Sequence, residues 1–473
     1  MLAPFFMQKI YNLQNIFIQY CMSKIYGKNI YIIGIGGISL SALAVMLLQK
    51  NYNIFGSDEK ESMEIQNLQN LGAKIYIGHD ENNITEDIDL VVFSAAINQN
   101  NPELIRAREL GIKIITRSEL LGLIASEYDC VISVAGTHGK TTTTGMLSSI
   151  FLNSGLNPTI HIGGNFKKIQ GNVYAGGVSH FITEACEYVD SFLSLNNSYA
   201  VVLNIQKDHM DYFKTMNNLY NSFQKFINNT NKNGIVVINA DEECEKRVVC
   251  RCGKVTFGIK NQADFMAKNI TRLSNGKYSF DCFKGDYKLG TIELGVYGKH
   301  NIYNALASIV VAFYEGIDFN VISQSLLEFE GVNRRFQSVG KLNGASVIHD
   351  YAHHPSEIMA SIKTAREIFS GKIFCIFQPH TFSRTEALWS EFCNSFREAD
   401  EAIIYPIYPA RENPIEGITS KRLCTCLQGT QGMYFDNYDS LYSYLENNVG
   451  RQDVVLILGA GDIVEFTKYF KNC

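Results

Sequence analysis

The chain has 473 residues, 46% of them apolar and 19% charged, with a formal net charge of −5. This is ordinary globular composition, long enough for two or three domains, and its acidic balance excludes a surface built to coat nucleic acid. No run approaches a membrane span, and the twelve cysteines show neither framework nor zinc-ligand spacing, so reduced thiols and a cytoplasmic location are expected.

Residues 1–22 lack a basic start and a small-residue cleavage site, so they read as an N-terminal extension rather than a signal peptide. Met22 is an alternative start. Lys28–Ile33 reads as a strand that runs into Gly34-Ile35-Gly36-Gly37, followed by a helix over Ser41–Gln49 and a second strand ending at Gly56-Ser57-Asp58. This is a Rossmann-type opening. Taken alone it fits NAD, with Asp58 on the ribose hydroxyls. Ser39 stands where the third glycine belongs, however, so the firmer reading is a diphosphate over Gly34–Gly37. Strands at Leu90–Phe93 and Lys113–Ile115 end at Ser94 and at Thr116-Arg117; Arg117 is either a phosphate contact or a plain surface arginine.

A β-branched run, Val131–Val134, leads into Gly136-Thr137-His138-Gly139-Lys140-Thr141-Thr142, and apolar residues at Met146, Leu147, Ile150 and Phe151 follow at helical spacing. Strand, glycine loop and helix N-terminus together make a phosphate cradle. In it Lys140, read as an exposed loop residue, reaches the outer phosphates, and the Thr141 hydroxyl holds Mg²⁺. The loop is tightened to Gly-x-x-Gly-Lys-Thr, with Val134 where the general pattern begins with glycine.

Three further strands end in polar residues: Val178–Thr183 before Glu184, Tyr199–Ile205 before Asp208 and His209, and Ile235–Ile238 before Asn239. A parallel sheet puts these ends on the rim beside Lys140, making Glu184 and His209 candidate magnesium ligands. Histidine is an unusual ligand for so hard a cation, and a satisfied hydrogen-bonding histidine is an equal reading. Val255–Gly290 looks like an antiparallel appendage with turns at Asn275-Gly276 and Lys284-Gly285. His300 precedes a helix on which Asn301 and Asn304 share one face, either to read a base edge or as an N-cap with a solvated neighbour.

From residue 332 a new α/β pattern begins. Four strands end in Asp350-Tyr351-Ala352-His353-His354-Pro355, Gln378-Pro379-His380-Thr381-Phe382-Ser383-Arg384, Tyr405–Glu412 and Gly459-Ala460-Gly461-Asp462. Pro355 suits the first helical position. Four strands alternating with helices predict a second Rossmann-like sheet whose rim faces a ligand.

Together the phosphate loop, Gly298-Lys299-His300-Asn301 with Asn304, the Asp350–Pro355 and Gln378–Arg384 stretches and Pro409-Ala410-Arg411-Glu412 resemble the Mur ligase family, ATP-dependent enzymes of peptidoglycan precursor synthesis. The resemblance runs from about Lys28 to the end. It implies an α/β chain of three domains after the extension: Rossmann-like, UDP-sugar-binding (23–123); central, P-loop ATPase-type (124–331); and Rossmann-like, for amino acid and ATP (332–473). It also implies ATP and Mg²⁺ as cofactors, with the lactyl carboxylate of UDP-N-acetylmuramate attacking ATP and the amine of L-alanine displacing phosphate from the acyl phosphate.

Residue by residue, the resemblance assigns ATP to Gly136, Thr137, His138, Gly139, Lys140, Thr141, Thr142, His300, Asn301, Asn304, Arg335 and Asp350. It assigns the UDP-sugar to Gly34, Ile35, Gly36, Gly37, Asp58, His79, Ser94 and Arg117. Thr141, Glu184 and His209 take the metal; Tyr351, His353 and Arg384 take the amino acid. Lys140, His353 and Arg384 carry catalysis, with His353 the base by its chemistry. One departure stands in Glu184-Ala185-Cys186-Glu187, where Cys186 occupies a position that is acidic in many members. Rival readings are a sister ligase attaching a whole peptide to the same sugar nucleotide, an NAD-dependent dehydrogenase, and a sugar-nucleotide sensor without turnover. No nucleic-acid or membrane partner is expected, and oligomeric state is not legible.

Overall fold

The computed structural model describes residues 27–470. The expected extension over residues 1–22 and the alternative start at Met22 lie outside the described residues. Three sheets follow one another along the chain.

The first sheet is wholly parallel, in the order β3 (Lys74–Ile77), β2 (Asn53–Asp58), β1 (Asn29–Ile33), β4 (Leu90–Phe93), β5 (Lys113–Thr116). Strand order reverses between β1 and β4, and a crevice opens there beyond the strand ends. The Gly34 loop and Ser94 lie in it. The helix after β1 spans Ile38–Gln49, three residues longer at its start than expected. Strand β3 was not anticipated: it has four residues at the sheet edge with no fully buried position, so it carries almost no hydrophobic signal.

The second sheet has ten strands, ordered β15 (Tyr287–Glu293), β14 (Tyr278–Lys284), β13 (Phe265–Arg272), β12 (Gly253–Gly258), β11 (Thr230–Asn239), β10 (Asn197–Val202), β6 (Cys130–Ala135), β9 (His180–Glu184), β7 (Thr159–Phe166), β8 (Gly171–Tyr174). Pairing is parallel from β7 through β13. The expected appendage is therefore a continuation of the sheet. Residues 253–257 pair parallel with 235–239, and within the appendage antiparallel pairing is confined to β13–β14 and β14–β15; at the opposite edge β8 also runs antiparallel to β7. Phe257, Phe265 and Phe280 are buried in one core with the helices Lys140–Asn153 and Asn301–Tyr314, which anchors the hairpin to the sheet. The opposite face shares a continuous core with the first sheet, running from Leu43 and Leu47 through Val131 and Phe181 to Phe223. The helix Ile38–Gln49 packs against the outermost strand, β8, and the Asn172 carboxamide donates to the Ile38 carbonyl at 2.8 Å.

The third sheet has six strands rather than four: β16 (Gln337–Leu342), β17 (Ala345–Asp350), β21 (Val454–Leu458), β18 (Ile373–Phe377), β19 (Glu401–Ile404), β20 (Gln431–Tyr434), with β16 antiparallel. The four expected strands form its apolar centre. The two additions are edges of mixed polarity, which sequence periodicity hides. The expectation of reduced thiols fails at one pair: Cys393 and Cys426 form a disulfide. The helices Trp389–Asn394 and Ser420–Cys426 pack side by side and bring the two α-carbons to 5.5 Å.

Candidate functional site

The phosphate loop lies between β6 and the helix Lys140–Asn153, at the carboxyl edge of the second sheet. Gly139 has φ +86°, and a Cβ there would meet Asn304 Oδ1 at 2.5 Å, so both backbone shape and close approach require glycine. Asn204, just beyond β10, grips the loop on both sides. Its Oδ1 accepts from His138 N at 2.9 Å and its Nδ2 donates to His138 O at 3.1 Å.

Lys140 is not an exposed loop lysine. Its side chain is 17% exposed and lies 3.0 Å from Glu187, itself 2% exposed. Burial works against its charge, but Glu187, aided by Cys186 and Glu184, outweighs burial and holds Lys140 above the ordinary lysine value. Thr141 donates to Glu184 Oε2 at 3.1 Å, and Gly163 N donates to the other oxygen. A Cβ on Gly163 would meet both Glu184 oxygens at 2.9 Å, so this carboxylate occupies a space that only glycine leaves open.

Third-sheet residues close over the loop. Glu357, in the first turn of the helix Pro355–Ile368, accepts from His138 Nδ1 at 3.0 Å and lies 3.4 Å from His353 and 3.9 Å from Arg335. Burial would raise its pKa, but His353, His138 and Arg335 hold it well below the usual carboxylate range. Ser356 meets the other nitrogen of His138 at 2.9 Å, and Arg335 donates to Thr141 at 3.5 Å. A cavity of about 740 Å³ lies here, lined by His138, Gly139, Thr142, His300, Asn301, Asn304, Arg335 and Asp350 among others. Asn304 donates to Asn301 and Asn301 to the Tyr297 carbonyl, so the two carboxamides are coupled and buried instead of solvated. Burial pushes Asp350 up to about 6, against the pull of Arg335 and Ser361.

A second cavity, of about 620 Å³, draws on all three sheets: Ser94 and Arg117, then Cys186 and His209, then His380 and Arg384. Arg384 is held by Asp208, with Nε 3.1 Å from Oδ1, and meets His380 Nδ1 at 3.2 Å. Burial opposes the Asp208 charge, but Arg384 and the histidines around it keep its carboxyl below the ordinary range. His353 Nδ1 faces the Tyr351 carbonyl at 2.9 Å. Burial drops its pKa to about 3, despite Glu357, so it is neutral near pH 7 with Nε2 left as acceptor.

Profiles of one family match almost the whole described chain: Mur ligase family, catalytic domain, over residues 29–129; Mur ligase middle domain over 134–312; and Mur ligase, glutamate ligase domain, over 334–461. The chain belongs to the Mur ligase family.

Among relatives of this Mur ligase, the UDP-N-acetylmuramate–L-alanine ligase of Clostridium kluyveri is 44% identical, covering 95% of this chain and 99% of the relative. The like-named ligase of Alkaliphilus metalliredigens is also 44% identical, over 92% and 95%. The crystal structure of UDP-N-acetylmuramate-alanine ligase from Thermotoga maritima superposes with TM-score 0.79 at 29% identity, over 94% of this chain and 98% of that one.

In the Mur ligase's first sheet, Asp58 Oδ2 accepts from Gly36 N at 2.9 Å, so it shapes the glycine loop. Arg117 donates to Ser39 at 3.1 Å, and Ser39 meets the buried His161 at 3.3 Å. His79 stands apart from the loop, 3.0 Å from both Ser57 and the fully buried Glu103. Sequence reasoning gave no role to Glu187, Asp208, Glu357, His161 or Glu103. Only Glu357 had a usable signal, three residues after a helix N-cap, and the unusual capping residue, His354, concealed it.

Proposed function

We propose that this Mur ligase joins L-alanine to the lactyl carboxylate of UDP-N-acetylmuramate, with ATP converted to ADP and phosphate. The observation that carries the reading is the second cavity, where three separate sheets contribute to one space: an enzyme that condenses two substrates needs such a place. The relatives' names supply the substrate identities, and they favour alanine over a peptide acceptor. A dehydrogenase would leave the central phosphate loop without a purpose. We read residues 23–123, 124–331 and 332–473 as the sugar-nucleotide, ATP and closing domains, and place the reaction in the cytoplasm, where ATP is made available.

The nucleotide enters the first cavity. Asn301, Asn304 and His300 face the base side, and Asp350 and Arg335 lie opposite. Loop amides over Gly136–Thr142 and the Lys140 ammonium face the phosphates. Thr141 and Glu184, already paired at 3.1 Å, offer the hydroxyl and carboxylate oxygens that a hard cation takes and would hold Mg²⁺; His209, which lines the second cavity beside Asp208, would join them only by the family resemblance. When bound, the ion neutralises charge on the phosphates. The sugar-nucleotide diphosphate lies over Gly34–Gly37 with Arg117 and Ser94; Asp58 shapes that loop through Gly36 N, and His79, held by Ser57 and Glu103, belongs to the sugar-nucleotide set by the family resemblance alone. Its lactyl carboxylate attacks the γ-phosphorus in line, ADP leaves, and Lys140 compensates the negative charge that develops.

The acyl phosphate is then attacked by the alanine amine. Arg384 holds the alanine carboxylate, Tyr351 flanks it, and the neutral Nε2 of His353 takes the ammonium proton. The contacts of His138 with Glu357 and Ser356 keep the third sheet closed over the reacting carbonyl, excluding water.

The test is ADP release with UDP-N-acetylmuramate while the acceptor is varied. Release with L-alanine and none with the murein tripeptide is expected. Release driven by the tripeptide, or none with any acceptor, would overturn the proposal.

A further inference from the structure

Three elements that carry candidate active-site residues at one end bring together a different set at the other. Strand β6 ends at the phosphate loop and opens with Cys130; strand β9 ends at Glu184 and opens with His180. The helix Asn301–Tyr314 starts in the nucleotide cavity and is capped at its far end by Glu315. The sulfur of Cys130, a ring nitrogen of His180 and a carboxylate oxygen of Glu315 lie within 4.8 Å of one another, the one group of its kind among the described residues. We propose that Cys130, His180 and Glu315 form a Zn²⁺ site at the amino edge of the central sheet, separate from both substrate cavities.

Thiolate, imidazole and carboxylate are the three donor types that zinc takes together in tetrahedral sites, with a fourth position filled by water. Cys130 and Glu315 are only half-buried, which leaves a path for the ion and room for that water. The supporting contacts are those that orient ligands in such sites. His180 Nδ1 is held by Ser179 Oγ at 2.9 Å, which leaves Nε2 for the metal; Nε2 now faces Glu315 Oε2 at 2.8 Å, the contact an entering ion would replace. Tyr199 donates to Glu315 Oε1 at 2.6 Å, fixing the carboxylate. Cys130 stands 3.9 Å from the same oxygen, too far for a strong hydrogen bond, and has the Ser198 hydroxyl as another polar neighbour. On binding, the thiol proton is lost to solvent and the ion takes its place. The ion would pin two strands and a helix at the end remote from the reaction and stabilise the fold by mass action.

The probe is Co²⁺ added to the full chain, freed of metal by chelation and kept reduced. A thiolate-to-cobalt charge-transfer band with strong four-coordinate visible absorption is expected at one equivalent, displaced by Zn²⁺. Cys130→Ser and His180→Gln should abolish it. Ser179→Ala, a small change at a half-buried residue outside the strands, should weaken Zn²⁺ affinity about 10- to 100-fold. The band should survive in Cys186→Ser and Cys250→Ser, which remove thiols elsewhere. No band in the parent, a band that persists without Cys130, or Zn²⁺ affinity unchanged in Ser179→Ala would overturn the site.

Discussion

Lys140 and Glu187 face each other almost wholly out of water. Removing one member of such a pair leaves the other charge buried and unmatched, which costs about 3–5 kcal/mol. Lys140→Ala should therefore lose turnover and also unfold at clearly lower urea. Adding Glu187→Gln should return most of that stability and none of the activity. A Lys140→Ala protein as stable as the parent would show that the pair does not form in solution. Arg384 gives a second test, because its roles in the two half-reactions separate. A guanidinium grips a carboxylate through two parallel hydrogen bonds, worth about 1.5–3 kcal/mol, or roughly ten- to a hundredfold in apparent alanine affinity. Arg384→Ala should still form acyl phosphate, trapped by borohydride without alanine, while ligation demands far more alanine. If trapping falls in step with turnover, Arg384 serves the phosphates instead.

The helix Pro355–Ile368 shows how an element can serve two purposes. Pro355 opens it as its sequence predicts, and Glu357 completes a capping box with His354. The same Glu357 also reaches across to His138 in the phosphate loop, so one carboxylate ends a helix and fastens one sheet to another. Glu357→Ala should cost about 1–2 kcal/mol from the lost cap and raise the KM for ATP by releasing the loop. A stability loss with unchanged KM would confine Glu357 to capping. The strand–loop–helix around Lys140 was legible because a local motif sets it: a β-branched run, glycines, then helical spacing. The partners of Lys140, Arg384 and Asp58 were not. Glu187, Asp208 and the Gly36 amide lie 47, 176 and 22 residues from them, and only folding decides such pairings. Edge strands β3, β16 and β20 were missed for the opposite reason, since their half-exposed residues carry no regular period.

Across the molecule, six of the ten histidines are held below their ordinary value, in every case first by burial: His161, His349 and His353 near 3, His300 and His380 near 4, and His354 in the same direction. The unfolded imidazole titrates near about 6.5. Below that the unfolded chain binds more protons than the folded one, so stability is complete above about pH 6.5 and falls as pH drops toward the folded values. Each such histidine contributes up to about 1.4 kcal/mol per pH unit in that window. Asp350, pushed up to about 6, and Glu242, raised by burial, run the other way as pH falls toward the ordinary carboxylate range, two groups against six. The urea midpoint should accordingly fall steeply from pH 7 to pH 5. His349, buried with no partner for Nε2 among the described residues, should account for one share, so His349→Leu should flatten the profile. Equal midpoints at the two pH values would contradict the burial of these rings.

The packing of the helix Ile38–Gln49 on β8 has a consequence for solubility. An outermost strand left bare is a template for pairing with another chain, and here the layer built on the first sheet shields one margin of a ten-stranded sheet. A fragment beginning at Tyr128 should keep its phosphate loop yet self-associate as concentration rises, seen as growing light scattering. Adding the separate 27–127 piece should suppress that growth. The first layer would then act as a chaperone in cis for the middle one.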